Sequence, residues 1–229
     1  MPKSIPDTTR SGMKNHCDQE NQMKKYLAAL SSAALISMAP YALASSTDLT
    51  VTGLITPGAC TPSLSNNGGV DLGKIPAHTL NQTGNTYLGS YPLQLTVACE
   101  NPRFIAFESV DNRAGTATED ENFFYGLGLT DEGEKLGYFY TSINEVVVDG
   151  RYSDSIESVD GGNSWNYSPS IRPGALLSVS SQSDYTTPIA VKDLIMDLQI
   201  RPAITRADSL TLTNEVKIDG SGTLQLTYL

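Results

Sequence analysis

Apolar and polar residues alternate in short stretches along most of this chain, the two-residue period of a strand that buries one face. Leu93, Leu95, Val97 and Cys99 share one parity, opposite Gln94, Thr96 and Ala98. Leu194, Met196, Leu198 and Ile200 repeat the arrangement against Asp197, Gln199 and Arg201, and Leu224, Leu226 and Tyr228 do so against Thr223, Gln225 and Thr227. No stretch holds a helical period long enough to predict a helix. Turn residues punctuate the pattern at Pro57-Gly58, Asn66-Asn67-Gly68-Gly69, Asp160-Gly161-Gly162 and Pro173-Gly174. Asp149-Gly150, between Val146-Val147-Val148 and Arg151-Tyr152, predicts a two-residue hairpin because both turn positions call for positive φ. The chain therefore reads as all-β, a sandwich or a barrel.

The amino-terminal 44 residues depart from this pattern. Met23-Lys24-Lys25 is a short basic start, Leu27 to Met38 is mostly apolar, and Ala42-Leu43-Ala44 has the small residues of a processing site. This is the layout of a secretory signal peptide cut between Ala44 and Ser45. An apolar run of about a dozen residues is too short for a helix to span a ~30 Å hydrocarbon core, so no membrane anchor is expected after cleavage. Residues 1–22 are polar and aperiodic and are expected to lie upstream of the functional start, 23–44 to be the signal, and 45–229 to form a single domain.

Cys17 belongs to the upstream segment, which leaves Cys60 and Cys99 in the exported portion. An even pair in an oxidising compartment is read as a disulfide in preference to two buried free thiols. The formal net charge is −10, and the segment ahead of Ser45 is net basic, so the remainder is more acidic still. That balance disfavours nucleic acid and anionic membrane as partners.

From about Asn101 to Pro173 the alternation is weakest. Acidic residues (Glu119, Asp120, Glu121, Asp131, Glu132, Glu134) gather there beside aromatic ones (Phe123, Phe124, Tyr125, Tyr138, Phe139, Tyr140, Trp165, Tyr167), a candidate receptor-binding surface or a set of elaborated loops. Leu210-Thr211-Leu212-Thr213 with Val216 and Ile218 could furnish one further strand.

Little suggests catalysis. His78 is the one histidine after the signal segment, and no nucleophile motif accompanies it. Glu119-Asp120-Glu121 lacks the spaced oxygen ligands and glycine turn of a calcium loop. The chain is expected to be no enzyme and to hold no metal or cofactor.

Leu49 to Cys60, a strand with Gly53 inside it that ends on the first cysteine, is followed by Val70-Asp71-Leu72-Gly73-Lys74-Ile75 and then by Leu93 to Cys99. Together with Tyr228 on the alternating final stretch, this order resembles the pilin subunits of the chaperone–usher pathway. More narrowly, it resembles an uncharacterised family of exported fimbrial-like proteins related to them. The resemblance implies an immunoglobulin-like (pilin-type) β-sandwich with one disulfide, lacking its last strand and leaving a groove along a sheet edge. A strand lent by a periplasmic chaperone, and later by a neighbouring fimbrial subunit, would fill that groove by β-strand addition. Leu224, Leu226 and Tyr228 would border it, and the carboxylate of Leu229 would be held by the chaperone. An outer-membrane usher and a receptor at the cell surface complete the implied partners, and a periplasmic passage to the fimbrium the implied location. Only Ser45-Ser46-Thr47-Asp48 precede Leu49, ~14 Å of chain at most; this suits a minor or tip subunit that accepts a donor strand without donating one. The alternative is a self-contained exported binding domain of immunoglobulin type.

Overall fold

Among the described residues the alternation resolves into twelve strands: β1 (Cys60–Leu64), β2 (Thr86–Tyr87), β3 (Tyr91–Arg103), β4 (Ile105–Asp111), β5 (Tyr125–Gly126), β6 (Gly137–Val148), β7 (Arg151–Ser158), β8 (Asn166–Tyr167), β9 (Ser170–Ile171), β10 (Leu176–Ser180), β11 (Val191–Ile204) and β12 (Gly222–Tyr228). The computed structural model describes Thr52 and residues 58–229. The unit described below is Leu54–Leu229. The expectations for residues 1–44, for cleavage between Ala44 and Ser45, and for the short stretch ahead of Leu49 lie outside the described residues.

All twelve strands belong to one sheet, ordered β1-β3-β11-β6-β7-β10-β4-β12, with β2, β5, β8 and β9 as short side pairings. The expected immunoglobulin-like sandwich of two separate sheets is therefore incorrect. The strand that overturns it is β7. Its first residues pair with β6 (Val148↔Arg151, Val146↔Ser153), and from Asp154 to Ser158 it pairs with β10. It passes from one half of the molecule to the other without a break in the ladder. Where β7 departs, β9 takes its place beside β6, with Thr141 opposite Ile171.

Long strands with bulges curl such a sheet, because each extra residue bends its strand and raises the local twist. The register shifts between Val191 and Asp193 where β11 meets β3, and again between Asp197 and Leu198 where β11 meets β6. The two ends of the sheet, β1 and β12, come close enough for the Tyr228 hydroxyl to accept a hydrogen bond from the Cys60 backbone N–H at 2.9 Å. Cys60 lies opposite Cys99 but makes no ladder bond to it, so its N–H points away from β3, and Tyr228 takes up a donor that an edge strand would leave free. The result is a nearly closed barrel. Replacing Tyr228 with Phe removes this bond and should cost ~0.5–1.5 kcal/mol in urea unfolding, with faster hydrogen exchange at the Cys60 amide. Unchanged exchange would show that β1 and β12 do not meet in solution.

The main core is built from the faces anticipated by parity. Leu95, Val97, Leu194, Met196 and Leu198 are each at most 2% exposed, and Leu224 and Leu226 pack against them from β12. Cys60 and Cys99 form a disulfide, with Cα atoms 4.0 Å apart. The Asp149-Gly150 turn joins β6 to β7 with φ of 51° and 76°, the tight hairpin its sequence requires.

The middle of the chain departs from its expected irregularity. It contains β6 and β7, and most of its aromatic residues pack inward. Tyr125, Tyr138 and Trp165 are buried, Phe124 meets Tyr138 edge-on at 4.6 Å, and Tyr125 stacks on Phe139 at 4.8 Å. Residues 210–218 form no strand. Leu210, Leu212, Val216 and Ile218 instead pack on a second apolar cluster of Leu80, Leu127, Leu136 and Ile204.

Candidate binding cavity

The barrel is not filled. A cavity of about 910 Å³ lies between the inner faces of β3, β11 and β6 on one side and β4 and β12 on the other. Leu93, Leu198, Ile200, Ile171 and Leu224 supply apolar floor and walls, each from a different strand or a different step of β11. Their inward aim follows from strand parity. The space between them lies under residues 68–77 and 210–221, which cross the opening outside any strand.

Both covering segments are fastened at defined points. Glu134 accepts hydrogen bonds from the Thr211 backbone N–H at 2.7 Å and its hydroxyl at 2.8 Å. These bonds, the backbone one first, hold the Glu134 carboxyl below the usual carboxylate range. At the other end, Arg113 donates to the Asp219 carbonyl at 2.9 Å and pairs with its carboxylate, which lowers the Asp219 pKa. The Asn112 N–H donates to the Ser221 carbonyl at 3.0 Å. Arg113 is itself set by Asp111, whose buried carboxylate accepts from the backbone N–H of Arg113 at 2.8 Å and of Gly126 at 2.9 Å. Between these anchors, residues 212–218 make no main-chain hydrogen bond to another main-chain group among the described residues. The segment 70–76 is fastened less, with an Asx turn in which the Gly73 N–H donates to Asp71 at 2.8 Å.

Polar groups inside the cavity are few. Ser109 and Tyr125 hydrogen-bond to each other, and burial pushes the Tyr125 hydroxyl up to about 12. Thr141 and Ser221 also line the cavity. At the rim stand Asp71, Lys74, Asn214, Glu215 and Lys217, all exposed. No three acidic, histidine or cysteine side chains gather as a metal site among the described residues.

The residues singled out from sequence fall partly here. Leu224 lines the cavity, and Leu226 packs on the core beside it. Tyr228 bridges to β1, and Leu229 is exposed at 50%, its N–H bonded to the Phe104 carbonyl at 3.1 Å. Cys60 and Cys99 pin β1, whose Leu64 lines the cavity, and contribute no chemistry to it. His78 is exposed on a single turn, Ala77–Thr79, and Ala77 alone of that turn borders the cavity. Glu121 pairs with Lys135 at 3.1 Å, away from the opening. Sequence reasoning missed Lys74, Glu215 and Lys217. Their signal was the clustering of charge at two apolar, strandless segments, visible only when those segments are brought together.

Residues 49–123 match the family described as a protein of unknown function (DUF1120). The chain is 29% identical over 248 residues to Protein GltF of Escherichia coli (strain K12), covering 88% of this chain and 95% of that protein. It is 23% identical over 215 residues to Uncharacterized protein YhcF of the same strain, covering 75% and 85%. None of these descriptions is fimbrial. Together with a sheet whose last strand is paired and whose ends are bridged, they overturn the expectation of a pilin-type adhesive subunit assembled by strand donation. The expectation of chaperone, usher and subunit partners followed from that assembly alone. What stands is an all-β barrel distantly similar to GltF and YhcF, stapled by one disulfide and holding an apolar cavity.

Proposed function

We propose that this chain is an exported, non-catalytic binding protein that holds an apolar ligand inside its barrel. The observation that carries this reading is the cavity: about 910 Å³, within the ~300–1,000 Å³ of small-molecule sites, mostly apolar, with few polar groups. Export is supported by the composition of residues 23–44 and by the Cys60–Cys99 disulfide, which needs an oxidising compartment. A non-catalytic role is supported by the interior groups. Ser109 hydrogen-bonds to Tyr125, whose raised pKa makes it a poor proton acceptor near neutrality.

A neutral phenyl-naphthylamine dye added to the full chain should gain fluorescence with saturation at one dye per protein. Ile200→Trp, which puts an indole into the open space from β11, should weaken that binding at least ~tenfold and leave the melting temperature within a few degrees. Unsaturable fluorescence, or equal affinity in both proteins, would rule out the cavity as the binding site.

A further inference from the structure

The geometry points to a single-chain amphiphile with a zwitterionic head as the ligand of this cavity, an inference that rests on the binding reading above and narrows it. Leu198, Ile200, Pro202 and Ile204 are alternate residues of β11, and they line the cavity in succession. It therefore runs along six residue steps, ~20 Å at ~3.3 Å per residue. About 910 Å³ drawn out over that length is a narrow space, suited to a ligand lying along the strand.

The apolar lining suits an alkyl chain. A peptide brings a backbone N–H and C=O at every residue, and burying them without partners is costly. Leu72, Ile75, Leu212 and Val216 are among the residues that roof the cavity, and inside it Ser109 and Tyr125 already satisfy each other. An alkyl chain has no polar group to leave unpaired.

The rim identifies the head. Lys74 and Lys217, the latter 3.8 Å from the Asp219 carboxylate and still largely exposed, place two cations at the opening, and Asp71 and Glu215 place two anions there. A head of single sign meets attraction and repulsion together on such a rim. A zwitterion can set each pole against the opposite charge.

Calorimetric titration of the full chain with lysophosphatidylcholines below their micelle-forming concentrations tests this. Affinity should rise ~fourfold per added methylene, the equivalent of ~0.8 kcal/mol, and level off once the chain outgrows the cavity. Ile200→Trp should weaken the longest-chain ligand at least ~tenfold, and a fatty acid or alkyl glucoside of equal chain length should bind at least ~tenfold more weakly than the zwitterion. Affinity independent of chain length, while the neutral dye still binds, would overturn the acyl chain and leave the binding reading standing. A fatty acid or glucoside binding as tightly as the zwitterion would overturn the head, and tighter binding of an apolar peptide would overturn the amphiphile. If neither dye nor amphiphile binds, both readings fall.

Discussion

Replacing Cys60 and Cys99 together with alanine is expected to lower the unfolding free energy by ~4 kcal/mol, a large share of the ~5–15 typical of a domain. The two cysteines are 39 residues apart in sequence, and the enclosed chain includes the long irregular stretch from Asn66 to Asn85. Untying it restores that stretch's freedom in the unfolded state. In the folded state it leaves β1 held by five ladder positions with β3. Because Leu64 of β1 and the segment after it line the cavity, dye affinity should fall together with stability. Urea unfolding of the oxidised protein and the double variant measures the first effect, and dye titration the second. A stability loss below ~1 kcal/mol would show that the bridge constrains little, and unchanged dye affinity would show that β1 does not hold the cavity wall.

The second large effect is expected at Gly137, the first residue of β6. Its φ is +150°, and a Cβ there would lie 2.1 Å from the Ala203 carbonyl oxygen and 3.0 Å from the Ile204 Cα. Both are backbone atoms of β11, so no side chain can rotate to relieve the clash. Gly137 is paired with Ile204, and the ladder between β6 and β11 would have to part at that end. Gly137→Ala should therefore cost ~3 kcal/mol or more, near the upper range of single substitutions. Gly150 is the comparison, with φ of +76° and nothing within 4 Å of an added Cβ. Gly150→Ala should cost only the ~1–2 kcal/mol of a left-handed non-glycine residue. Equal losses in thermal or urea unfolding would mean that close approach to β11 is not what reserves position 137 for glycine.

Alternation along Leu93 to Cys99 and Leu194 to Ile200 was legible because it is a local property, set by the two-residue period of any strand with one wet face. The Asp149-Gly150 turn was legible for a similar reason, since positive φ at two successive positions restricts the residues allowed there. Neighbour relations are of another kind. Parity says which side chains of β7 face inward, but not that its first residues pair with β6 and its last with β10, and that handover turns two expected sheets into one.

Composition misled in the middle of the chain. Tyr138 and Trp165 resemble surface aromatics when counted beside the acidic residues, yet they lie inside because the strands around them bring them there. Residues 210–218 have apolar spacing compatible with a strand, but a strand needs a partner edge. These residues pack their side chains onto Leu127 and Ile204 and pair with none.

The sequence by itself determined that this protein is all-β, which faces of its long strands are buried, where it turns at Asp149-Gly150, and that two cysteines remain to be joined. Only the tertiary structure decided that the strands form a single nearly closed sheet and that the sheet encloses a cavity rimmed by Asp71, Lys74, Glu215 and Lys217. The division has a physical basis. Local pattern reflects the water or protein on either side of one strand, whereas closure and empty volume depend on residues more than a hundred positions apart and on how nearly their side chains meet.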